Sequence, residues 1–69
     1  MVRLKLKEYL DLIGTTRYDL SVKSGIQYQI IDKYYKNKVV RYDSYVLDRI
    51  CYTLDCDISD IIEYKKDKA

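Results

Sequence analysis

The chain has 69 residues, a formal net charge of +2, no proline, no histidine, two glycines and two cysteines. A chain this short forms one domain and buries only about 60% of the surface its unfolded form exposes, so nearly every element must contribute to one core. No run of 18 apolar residues is present to span a membrane. Charges interrupt what would be the apolar core of a secretory signal in MVRLKLKEYLDLIG, so a cytoplasmic protein is expected.

Arg3 to Ile13 reads as a first helix, with Leu6, Tyr9, Leu10 and Ile13 at i, i+3, i+4 and i+7 on one face. Leu4 and Leu12 flank that stripe, and Gly14 ends the helix. Thr16 suits the N-cap of a second helix running to about Ser24, and Asp19 occupies the place of a capping-box acid. Leu20 and Val22 are its apolar positions, and Ser21 is small. Gly25 is a helix stop, because the residue after a helix often takes positive φ. Ile26 anchors the turn. A third helix from about Gln27 to Tyr35 turns Ile30, Ile31 and Tyr34 inward. The spacing of Leu20, Ser21, Gly25, Ile26, Ile31 and Tyr34 is that of a helix-turn-helix.

Lys36 to Tyr42 lacks a helical stripe and reads as a loop, with Asn37 tolerating unusual turn angles. Val39-Val40 has nothing to pair with as a strand. Asp43 or Ser44 caps a fourth helix carrying Val46, Leu47, Ile50, Cys51 and Leu54, which ends at Asp55. Asp57 caps a fifth with Ile58, Ile61 and Ile62 as its apolar face. The expected core is Leu6, Leu10, Leu20, Ile26, Ile31, Leu47, Ile50 and Leu54, with no sheet. Residues 1–64 form the domain and 65–69 a frayed polar tail. Of nine tyrosines, Tyr9, Tyr34 and Tyr52 on the plainest reading complete the core with their hydroxyls wet; exposed tyrosines are also able to form a partner surface.

The charge is unevenly placed. Residues 1–42 hold nine Lys/Arg against four Asp/Glu, giving +5, and residues 43–69 hold four against seven, giving −3. The basic half contains the proposed helix-turn-helix, which suits phosphate binding as well as an ordinary solvated surface. Catalysis finds little support: the chain lacks histidine, a glycine-rich phosphate loop and a serine with an evident base. Cys51 and Cys56 lack the further ligands a zinc site needs and read as small core residues. No metal or cofactor is expected.

RLKLKEYL, TRYDLSVKSGIQYQIIDKYYKNK and LDRICYTLDCDISDIIEY follow one another in the chain. In that order and spacing they resemble the Cro/repressor-type (XRE-like) helix-turn-helix family of phage and bacterial transcription regulators. The last run is similar to the I-C-x-x-L-x-C-D-[VI]-S-D-[LI]-[LI]-E-Y string that closes small stand-alone members. The resemblance covers roughly Val2 to Tyr64. It implies an all-α, compact five-helix domain of the lambda-repressor-like type, with the helix-turn-helix at helices 2 and 3.

The second helix of such a unit presents its N-terminal residues to base edges in the major groove. Here these are Gln27, Tyr28 and Gln29, with Asp32, Lys33 and Lys36 on the following turns. By the resemblance, the positions of Tyr28, Gln29 and Lys33 are the usual base readers. Gln29 can pair with adenine, and Lys33 can reach guanine. Tyr28 can pack on a thymine methyl or reach a phosphate. Asp32, repelled by phosphate, either accepts from cytosine or orients Lys33 or Lys36. Arg17, at a helix N-terminus that already favours anions, is a candidate phosphate contact, as are Lys36, Asn37, Lys38 and Arg41. Tyr35 departs from the family, where a polar residue is common, and is expected to cover the core edge. Most relatives bind as dimers. A weak homodimer through Ile58 to Tyr64 is therefore expected, with double-stranded DNA as partner. The alternative function is an antitoxin or protein-interaction module on the same fold, engaging a protein partner.

Overall fold

The computed structural model describes residues 1–66. Strand β1 (Val2–Leu4) leads into helices α1 (Leu6–Ile13), α2 (Arg17–Ser24), α3 (Tyr28–Tyr35) and α4 (Ser44–Leu54). A 3₁₀ turn (Ile58–Asp60) and strand β2 (Ile62–Tyr64) follow. The helices end where the residues dictate. Gly14 and Gly25 take φ of 72° and 76°, and Asn37 and Asp55 take 58° and 52°. Thr16 Oγ1 accepts from the Asp19 N–H at 3.1 Å, and Asp43 Oδ1 accepts from the Tyr45 N–H at 2.8 Å. Each bond satisfies an N–H that the first helical turn leaves without a backbone partner.

The expectation of five helices and no sheet is corrected at both ends of the chain. Arg3 lies not in the first helix, which begins at Leu6, but in a two-stranded antiparallel sheet. Its register pairs Val2 with Tyr64, Arg3 with Glu63 and Leu4 with Ile62. The expected fifth helix is a single 3₁₀ turn. Asp57 and Asp60 form a capping box around it, and the chain is extended again by Ile62. Three residues form too short a helix to nucleate alone, whereas the strand finds ladder partners in β1. Lys65, placed in the expected tail, is tied to the N-terminus. The Lys65 N–H donates to the Met1 carbonyl at 2.7 Å, and the N-terminal ammonium donates back to the Lys65 carbonyl. Residues 67–69 of that expected tail lie outside the described residues.

The core is Leu4, Leu6, Leu10, Leu20, Ile26, Ile31, Tyr34, Val46, Ile50 and Ile61. Leu47 and Leu54, expected inside, are half-buried against it. Ile13, Val22 and Tyr52 are exposed, against expectation. Leu4, at the end of β1, and Ile61, between the 3₁₀ turn and β2, are buried instead, with the Lys5 N–H donating to the Ile61 carbonyl at 2.7 Å. Helix α2 packs on both α3 and α4, and β1 reaches the end of α3 through the Leu4 N–H, which donates to Asn37 Oδ1 at 3.0 Å.

Candidate nucleic-acid interface

The turn between α2 and α3 is fixed from both sides. Ser21 Oγ donates to the Ile26 carbonyl at 2.6 Å, and Ser24 Oγ accepts from the Ile26 N–H at 3.2 Å. Ser24 and Ile26 are buried, so the bond between them satisfies polar groups shielded from water. Arg49 of α4 donates from Nε to the Ser24 carbonyl at 3.2 Å, closing the end of α2 against the fourth helix. Ser21 thus does more than provide the small side chain its position suggested.

Helix α3 divides sharply into two faces. Ile31 and Tyr34 are buried and Ile30 is half-buried. Tyr28, Gln29, Lys33 and Lys36 are exposed, and so is Gln27 just before the helix. Gln27 makes no side-chain capping bond, leaving its amide available to a ligand. Tyr34 reaches through the core, and its hydroxyl accepts from the Asp43 N–H at 2.9 Å. The presenting helix is therefore held at its far end to the start of α4.

Asp32 and Arg17 form the least anticipated contact. Arg17 Nη1 lies 2.5 Å from Asp32 Oδ1, while Lys36 Nζ lies 3.1 Å from Asp32 Oδ2. The Arg17 guanidinium also stands over Tyr35, 4.4 Å from the ring centroid, and 6.0 Å from that of Tyr28. Hydrogen bonding from Lys36, then from Arg17, holds the Asp32 carboxyl below its usual range despite partial burial. Asp32 is thus ionised and paired at neutral pH. Tyr35, expected to cover the core edge, also supplies the stacking surface for Arg17. The Lys36–Asp32 pair is an i,i+4 neighbour readable from spacing, but no local rule signals the Arg17 contacts, because Arg17 lies on α2 and Asp32, Tyr28 and Tyr35 on α3.

The candidates beyond α3 divide. Lys38 and Arg41 are exposed and form no ion pair with a described residue. Asn37 has a structural occupation: its Oδ1 accepts from the buried Leu4 N–H at 3.0 Å. Its left-handed backbone closes α3, with the Lys38 N–H donating to the Lys33 carbonyl at 2.9 Å. Cys51 and Cys56 are free thiols, half-buried at the end of α4. Among the described residues no group of three or more His, Cys, Asp or Glu could hold a metal ion. No helix there is long and apolar enough to cross a membrane.

Searches of curated proteins and of solved structures returned no match. A family model, the Cro/C1-type HTH DNA-binding domain, matches residues 5–67. That span takes in all four helices and β2, including the turn at Gly25 and the two-faced helix after it. The chain therefore belongs to the Cro/C1-type helix-turn-helix DNA-binding domain family.

Proposed function

We propose that the chain is a sequence-specific transcriptional regulator that lays α3 in the major groove. The observation carrying this reading is the division of α3. Ile31 and Tyr34 are buried on one side, and Gln29 and Lys33 stand exposed on the other. Gln29 has the donor–acceptor pair that matches adenine N6 and N7, and Lys33 the charge for guanine O6 or N7. Gln27 and Tyr28 sit at the leading end, where side chains of such a helix meet base edges. Arg17, Lys36, Lys38 and Arg41 flank this face as phosphate contacts that fix orientation without reading sequence.

A protein-interaction surface in the same place would present apolar side chains. Gln27, Gln29 and Lys33 occupy it instead, which favours DNA over the antitoxin or protein-partner reading. A weak homodimer would use the C-terminal part of the domain. Ile61 is consumed by the core, but Ile58 and Tyr64 remain exposed there. Sedimentation with and without a two-half-site duplex measures this, and one monomer per duplex at high protein concentration would remove the dimer. Selection of bound duplexes from a random pool tests the function itself. Recovery of a consensus supports it, and recovery of the input composition contradicts it.

A further inference from the structure

We propose that Asp32 is a positioning residue that fixes the Arg17 guanidinium across the mouth between α2 and α3, and that it reads no base. The inference rests on the DNA-binding reading above and assigns one acidic side chain within it. Both Asp32 oxygens are engaged, Oδ1 by Arg17 at 2.5 Å and Oδ2 by Lys36 at 3.1 Å. A carboxylate held by two cations is poorly placed to turn toward a cytosine amino group. Arg17 is constrained in two directions, by the carboxylate at Nη1 and by the Tyr35 ring, whose centroid lies 4.4 Å from Cζ. A guanidinium offers five N–H donors in a rigid fork, so one edge can hold an internal carboxylate while another meets a phosphate. The side chain borders a recess of about 190 Å³ lined by Asp11, Thr15, Thr16 and Tyr35, at the N-terminus of α2. Left unsupported, a flexible arginine would lose rotamer freedom on binding DNA; Asp32 and Tyr35 remove much of that cost beforehand. The pairing also leaves the three charges of Arg17, Asp32 and Lys36 with a net +1 toward the duplex.

The test is a double-mutant cycle on the full chain, with Arg17→Ala, Asp32→Asn and the pair. Binding is measured against a duplex selected from a random pool and against one of unrelated sequence. In the parent, Asp32→Asn is expected to weaken binding to both duplexes alike, by about threefold to tenfold, since contacting neighbours couple on this order. The base preference profile stays as in the parent, because phosphate contacts carry no sequence information. In the Arg17→Ala background the same change is expected to strengthen binding, because the carboxylate that loses Arg17 repels phosphate. A changed preference at one base pair would overturn the inference by making Asp32 a reader. So would strengthening by Asp32→Asn in both backgrounds, which would make it only a repulsive charge. Arg17→Lys is the second variant, should Asp32→Asn lose helicity. Its single ammonium cannot serve carboxylate and phosphate on separate edges, so weaker binding to both duplexes is expected, and parent-like binding contradicts the fork. Failure of the parent chain to bind either duplex would overturn the DNA-binding reading and the inference with it. Binding by the parent with an unaffected Arg17→Ala would overturn the inference alone.

Discussion

The Leu4 N–H donates to Asn37 Oδ1 at 3.0 Å, tying the first strand to the residue that closes α3. Leu4 is in the core and the bond is partly buried, so an unpaired donor here is costly. Leaving it unpaired costs about 1–3 kcal/mol. Asn37 also sits at φ 58°, where a residue with a Cβ and no local polar bond is strained by about 1–2 kcal/mol. Asn37→Gly removes the bond and keeps the backbone, whereas Asn37→Ala loses both. Urea unfolding should rank the parent most stable, then Asn37→Gly, then Asn37→Ala. An alanine variant as stable as the parent would mean that neither constraint acts.

Ile31 is fully buried on the inner face of α3. Ile31→Ala leaves a cavity and should destabilise by about 2–5 kcal/mol. That is a large part of the stability expected of so small a domain. Loss of under about 0.5 kcal/mol in denaturant unfolding, far below that range, would place Ile31 outside the core.

Burial pushes the Cys56 thiol up to about 11, with Cys51 beside it adding to the rise, and Cys51 is itself raised by burial. The thiolate is the reactive form, so iodoacetamide at pH 8 should label the folded chain far more slowly than the unfolded chain. The folded state holds its Cys56 proton more tightly than the unfolded state. The associated stability is therefore complete below the ordinary value of 9.0 and lost as pH rises from there through about 11. Cys56→Ser should remove that part of the alkaline decline. Equal labelling rates in both states would contradict the burial.

The local features of this fold were legible because each is decided by one or two adjacent residues. Thr16 caps α2, Gly25 stops it, Asn37 takes an unusual turn angle, Asp55 ends α4, and Asp43, one of the two cap candidates, caps it. The division of α3 followed from Ile31 and Tyr34 one turn apart. The sheet was not legible, because Val2–Leu4 finds its partner some sixty residues away and three residues have no periodicity to read. Ile61 and Ile62 suggested a helical face, but the 3₁₀ turn ends at Asp60, and one enters the core while the other enters a strand. In the candidate site, the exposed positions of Gln29 and Lys33 were readable from helical spacing. The partners of Arg17 were not, since a long side chain chooses among Asp19, Asp32 and its aromatic neighbours only once α2 and α3 have packed. Asn37 was read as a turn residue and a phosphate contact, and its hold on Leu4 depends on the same unseen strand.

On the proposed function, α3 reads bases through Gln29. The measurement is the affinity of the parent and of Gln29→Ala for a selected duplex and an unrelated one, titrated with salt. Gln29 carries no charge, so its loss should cost about 1–3 kcal/mol on the selected site and relax one position per half-site. Binding to unrelated DNA and the slope of log K against log salt should stay as in the parent. Arg41→Ala, in contrast, should weaken both duplexes and flatten that slope by about 0.9 per subunit. Parent-like binding of Gln29→Ala to the selected duplex, with its base preference intact, would contradict the account.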